Sequence, residues 1–110
     1  METTEAQVVG LITAPVDRAA DLARAIVQRR LAACVNIVRD VQSIYWWDGA
    51  VQDDTESLLI AKTTRSQVAA LNDALVDLHP YDTFELVVLD ISGGNPLYLQ
   101  WIGAAVTDAV

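Results

Sequence analysis

A mixed α/β (α+β) fold is predicted by three features of the sequence. Short apolar runs alternate with segments of helical period in the order strand, helix, strand, strand, helix, strand. An Asp48-Gly49 pair separates the two middle strands, and a further helical stretch follows Gly93-Gly94-Asn95-Pro96. That order is the split βαβ arrangement, a ferredoxin-like sandwich βαββαβ in which two helices cover one face of a four-stranded sheet. Right-handed crossovers place the first and third strands at the centre of the sheet and the second and fourth at its edges.

The first strand is read over Gln7 to Ala14, with Val8, Val9, Leu11 and Ile12 apolar on both faces and Pro15 closing it. From Asp17 to Arg30 the residues Ala19, Leu22, Ala23, Ile26 and Val27 recur at helical spacing, with acids near the N-terminal end and Arg29 and Arg30 at the other. Ala33 to Trp47 is extended and rich in Val and Ile, and Asp48-Gly49 is the residue pair that a two-residue hairpin needs. The partner strand runs from Val51 to Thr63. Its outer part, Gln52 to Glu56, is polar, whereas Leu58 to Ala61 is apolar on both faces.

Thr64-Arg65-Ser66-Gln67 matches a capping box for a second helix, whose core face is Val68, Leu71, Leu75 and Leu78 and which Pro80 stops at His79. A fourth strand is expected over Glu85 to Ile91. Asn95 can cap an extra C-terminal helix, Pro96 suits its first position, and the helix is expected to reach about Asp108.

The chain has 110 residues, which fits one domain over residues 1–110, and its 53% hydrophobic and 20% charged residues exclude disorder from lack of apolar material. Fifteen acidic against seven basic residues leave a net charge of -8, and the cations are scattered, so nucleic acid is a disfavoured partner. No apolar run has membrane-spanning length and the opening Met1 to Glu5 is polar, so a cytoplasmic protein with no membrane partner is expected. Cys34 is the single cysteine and has no partner within the chain for a disulfide.

The hairpin arm from about Ala33 to Thr64 is the feature that most demands explanation. Fifteen strand residues span about 50 Å, against a radius of gyration of about 13 Å for a domain of this size. Arg39-Asp40 interrupts the apolar run and is a place for a bulge. Beyond it Ile44, Tyr45, Trp46 and Trp47 lie out of reach of the chain's own core, which predicts burial against other copies. The alternative is that they fold back on Leu97 and Trp101 of the last helix.

Several blocks, in order, resemble the CutA family of divalent-cation tolerance proteins (CutA1-like). They are Thr13-Ala14-Pro15, Leu31 to Ile37, Ser43 to Gly49, Lys62-Thr63-Thr64, His79-Pro80-Tyr81 and Gly94 to Ile102. The resemblance implies a homotrimer built through the arm and sheet edges, with Ile44, Tyr45, Trp46 and Trp47 at the interface. It implies an association with copper and other divalent metals and likeness to trimeric PII signalling proteins. It also implies an inter-subunit cleft lined by Trp47, Glu56, Lys62, Tyr81 and Glu85. Two positions depart from the family pattern: Ile12 stands where some members have a second cysteine, and Phe84 replaces a proline.

Reduced copper prefers sulfur, and the chain offers only Cys34 and Met1. Cys34 and His79 are the candidate metal ligands for copper or zinc. Each has a plainer reading, as a small buried strand thiol and as an imidazole at a helix end. Threefold symmetry can bring copies of these residues, or of Glu56, Asp82 and Glu85, together. Catalysis has little support, because a Cys34-His79 pair lacks an orienting third group and the Gly93-Gly94 turn lacks a phosphate-loop lysine. The sequence thus points to a non-enzymatic, metal-responsive homotrimer or, alternatively, a PII-like scaffold binding a small molecule in its clefts.

Overall fold

The computed structural model describes residues 6–107. Its elements are β1 (Gln7–Ala14), α1 (Ala19–Gln28), β2 (Cys34–Trp47), β3 (Ala50–Thr64), a 3-10 turn (Arg65–Gln67), α2 (Val68–Leu78), β4 (Val87–Asp90) and α3 (Pro96–Ala105). The sheet is antiparallel throughout in the order β2-β3-β1-β4, with the first and third strands central as the crossover rule requires. Met1 and Asp108, which entered the sequence reading, lie outside the described residues.

Register follows from the pleat. Val8, Gly10, Ile12 and Ala14 of β1 stand opposite Thr63, Ala61, Leu59 and Ser57 of β3, and all eight are buried beneath the helices. Leu22 and Ile26 of α1 and Leu71 and Leu75 of α2 complete this core. Val27, expected on the core face of α1, is 39% exposed. The other sheet face carries Val9, Leu11, Leu58, Ile60 and Lys62, all only half-buried, and α3 covers one end of it.

Each turn has a local cause. α1 ends in a Schellman motif: Leu31 N–H donates to Ile26 C=O and Arg30 N–H to Val27 C=O, with Arg30 in the left-handed conformation at φ 57°. Asp48 and Gly49 both have positive φ, 52° and 77°, the two-residue hairpin that pairs Trp47 with Ala50. Arg39 and Asp40 form the expected bulge, lying between the pairs Val38–Leu58 and Val41–Glu56, with Asp40 at φ 59°.

The capping box does not form. The Thr64 hydroxyl pairs with that of Ser66, and the Gln67 amide donates to Val106 C=O at 2.9 Å, so this residue ties α3 to the body. Without the reciprocal cap the chain enters α2 through the 3-10 turn. Asn95 does cap α3, its Oδ1 accepting from Tyr98 N–H at 3.0 Å, and Pro96 takes the first helical position. β4 is shorter than expected because it pairs with β1 only over Val8 to Leu11.

The arm extends the molecule to 53 Å in its longest dimension, against 26 and 22 Å in the others. Ile44 is 65% and Trp46 76% exposed. The aromatics do not fold back on the last helix, where Trp101 instead pairs with Tyr98 at 5.4 Å between ring centroids.

Candidate functional site

A cleft of about 780 Å³ opens between the outer half of the arm and the loop from His79 to Glu85. Alternation along β2 turns Ser43, Tyr45 and Trp47 toward it, and β3 contributes Asp54 and Glu56. Thr13, at the end of β1, forms part of its floor, and Tyr81, Asp82, Phe84 and Glu85 supply the opposite wall.

His79 holds the loop in place. Pro80 forces it out of helical backbone at the end of α2, to φ -74° and ψ 137°, and its ring is almost fully buried. Tyr81 N–H donates to Nδ1 at 3.1 Å, so the ring proton sits on Nε2, which donates to Thr13 C=O at 2.8 Å. Phe84 stacks on the same ring with centroids 5.2 Å apart and planes 20° from parallel. Phe84 therefore helps fix the loop by packing.

The polar groups of the cleft are carboxylates and phenols. Glu56 is only 6% exposed, and its Oε2 accepts from the Tyr81 hydroxyl at 3.2 Å. The Tyr45 hydroxyl donates to Asp54. That bond is the chief reason the Tyr45 hydroxyl is pushed up to about 12, while burial, then the Glu56 charge, raises Tyr81. Both phenols therefore remain proton donors at neutral pH. Partial burial, together with the charge on Glu56, raises the Glu85 carboxyl above the usual range. Among the described residues no lysine or arginine lines the cleft.

Of the residues that the resemblance placed in an inter-subunit cleft, Trp47, Glu56, Tyr81 and Glu85 come together in one chain. Lys62 does not join them. It stands opposite Cys34 near the other end of the sheet and donates to the side-chain oxygen of Asn36. Cys34 is half-buried beside Asn36, with Sγ 3.8 Å from Oδ1, and beside Tyr98, whose hydroxyl is raised by burial and then by the Cys34 sulfur. Cys34 and His79 do not meet, and among the described residues no group of three or more His, Cys, Asp or Glu side chains could hold a metal ion. No helix among the described residues is long and apolar enough to cross a membrane.

Sequence reasoning singled out neither Asp54 as part of the site nor Tyr45 as one of its walls. The signal was present. Asp54 lies two residues before Glu56 in a strand and so shares its face, and counting back from the Asp48-Gly49 turn sets Ser43 opposite Asp54. A second, smaller hollow of about 300 Å³ is lined by Arg29, Arg30 and Gln67, where Arg30 donates to Ala105 C=O at 2.9 Å.

The chain matches the family model described as CutA1 divalent ion tolerance protein over residues 8–105. It is 46% identical over 98 residues to a Xenopus laevis protein named Protein CutA homolog, covering 88% of this chain and 65% of that one. The curated relatives it matches first are longer, and the chain spans from about half to two thirds of their length. A crystal structure of CutA1 from Oryza sativa superposes with a TM-score of 0.92 at 41% identity, covering 98% of this chain and all of that one. A structure described as the PII-like protein CutA from Nostoc superposes with a TM-score of 0.85 at 27% identity, covering 91% of this chain and 97% of the other. With its fold, its hairpin arm and nearly its whole length matched, this chain belongs to the CutA1 divalent ion tolerance family.

Proposed function

We propose that the chain acts in divalent-cation tolerance as a cytoplasmic homotrimer that binds or responds to metal ions without catalytic turnover. The observation that supports it is two separate unpartnered apolar surfaces, one on the arm and one on the open face of the sheet. The arm exposes Ile44, Trp46 and Val51 by 58% or more, and the open sheet face adds Val87 and Leu89, each about half exposed. Large apolar side chains exposed in groups of this kind are typical of association surfaces. The β2 and β4 edges stand on opposite sides of the sheet, so joining one to the other between copies is a head-to-tail contact that can close into a ring. Copper or zinc enters this reading at positions that assembly repeats three times. These are the Cys34 thiol and His79, whose ring must first release Thr13 or Tyr81.

Light scattering at micromolar concentration tests the assembly, with a mass of three chains expected; a stable monomer rejects it. Calorimetry with zinc and copper(II) on wild type and Cys34→Ser tests the metal arm, and equal binding by both removes Cys34 from it.

A second reading, a PII-like sensor or scaffold that takes a small molecule in clefts between subunits, is favoured by the cleft itself. Its volume of about 780 Å³ lies within the range of small-molecule sites, and it combines aromatic walls with a few converging polar groups. In the trimer a neighbouring copy is read as closing its open side, with Lys62 supplied across the interface. Thermal stabilisation of the trimer by a small ligand in the absence of metal is the expected sign.

A further inference from the structure

We propose that the cleft beside the arm is a receptor for an organic cation, an alkylammonium or guanidinium compound bearing more than one positive charge. The inference rests on the second reading above, a ligand-binding cleft, and names the class of ligand.

Three properties of the cavity point the same way. Its walls are aromatic, with Tyr45 and Trp47 from the arm facing Tyr81 and Phe84 from the loop, and the faces of such rings attract desolvated cations. Its charge is of one sign, because Asp54, Glu56, Asp82 and Glu85 line it and, among the described residues, no lysine, arginine or histidine does. An anionic ligand would meet repulsion from every charged group in the cleft.

The third property is Glu56. It is more than nine-tenths buried, its Oε2 accepts from the neutral Tyr81 hydroxyl, and among the described residues no lysine or arginine lines the cleft around it. A buried carboxylate without a countercharge is costly. Three of the chain's cations are engaged elsewhere: Lys62 with Asn36, Arg65 with Asp90 and Arg30 with Ala105. On the other wall the Glu85 carboxyl is raised by partial burial and then by the charge on Glu56.

The donor set favours an organic cation over a bare metal ion. The carboxylates are distributed along the cleft and do not converge in a group of three able to ligate one ion. Aromatic faces add nothing to a hydrated divalent ion, whereas they match the methylene groups of an alkylamine. A single Lys62 delivered by a neighbouring copy would leave the cleft with three carboxylates in excess.

Calorimetric titration of the assembled wild-type protein with spermidine, at fixed ionic strength, tests the proposal. Saturable binding is expected, weakened at least tenfold in Glu56→Gln and in Glu85→Gln and several-fold in Trp47→Leu. Light scattering confirms that each variant keeps the wild-type assembly. Glu85 lies on an exposed part of the loop, so Glu85→Gln reports even if Glu56→Gln fails to fold.

Displacement of spermidine by magnesium chloride at matched ionic strength, or equal binding by wild type and both glutamate variants, overturns the proposal, since either result describes a diffuse ionic atmosphere. Binding of ATP at the cleft without binding of spermidine overturns it too, but leaves the ligand-cleft reading standing. Binding of neither compound, with no thermal shift from a panel of small molecules of either sign, removes the ligand-cleft reading itself.

Discussion

The body of the sheet and its arm are built from the same two strands, yet they solve opposite problems. In the body Leu59 and Ala61 of β3 are wholly buried against α1 and α2. Past the bulge at Arg39 and Asp40 the same ladder carries Trp46 and Val51 into solvent, 76% and 58% exposed. The body completes its hydrophobic burial within one chain, whereas the arm has the apolar load of a core and no core to receive it. Stability and function are thereby separated along one hairpin. Changes below the bulge are expected to act on folding, and changes above it on the proposed association and on the cleft.

The sharpest way to break this comparison is to exchange the two kinds of damage. Leu71→Ala removes a fully buried side chain from beneath the sheet and should lower stability by about 2–5 kcal/mol in chemical denaturation at fixed protein concentration. Trp46→Ser should leave the fold of the single chain unchanged by circular dichroism while weakening association by at least about 2 kcal/mol, read by sedimentation across a dilution series. A Trp46 variant that unfolds without dissociating would show that the arm serves the body after all.

A smaller effect probes the junction of the two regions. Ser57 stands in β3 opposite the bulge and beside Glu56, and its Oγ is buried without a hydrogen-bond partner. Removing an unsatisfied hydroxyl relieves a desolvation penalty, so Ser57→Ala should be neutral or raise stability by about 1 kcal/mol. A loss of stability would mean that the hydroxyl acquires a partner on assembly.

The same division governs what was legible in the sequence. Elements defined by local rules were readable: Pro80 ending α2, Asn95 and Pro96 opening α3, Asp48-Gly49 making the turn, Arg39-Asp40 making the bulge. The capping box was misread because Gln67 had a competing partner far away in sequence, the carbonyl of Val106, which no local pattern reveals. The cleft was half legible. Trp47, Glu56, Tyr81 and Glu85 followed from the family resemblance, but the juxtaposition of Tyr45 with Asp54 is a matter of strand register. The burial of Glu56 depends on how the His79–Glu85 loop folds over the strand end, and that is decided by Phe84 stacking on His79.

The smallest expected effect is the one that most directly tests whether the cleft lacks a countercharge. The Glu85 carboxyl is raised by partial burial and by the charge on Glu56, so the folded protein binds this proton more tightly than the unfolded chain does. Its ionisation therefore costs stability as pH rises through the raised value, and below the ordinary 4.5 the cost is absent. Glu85→Gln should accordingly melt slightly higher than wild type at pH 7, with the gap closing on acidification toward 4.5. Because Glu85 is exposed, solvent screening keeps the gap below that of any preceding variant. The opposite sign, a wild type that melts higher at pH 7, would require a cation beside Glu85. Among the described residues no cation lines the cleft, so a neighbouring copy would be its expected source. The arm would then complete the cleft electrostatically as well as sterically, and the division between association above the bulge and folding below it would extend to charge.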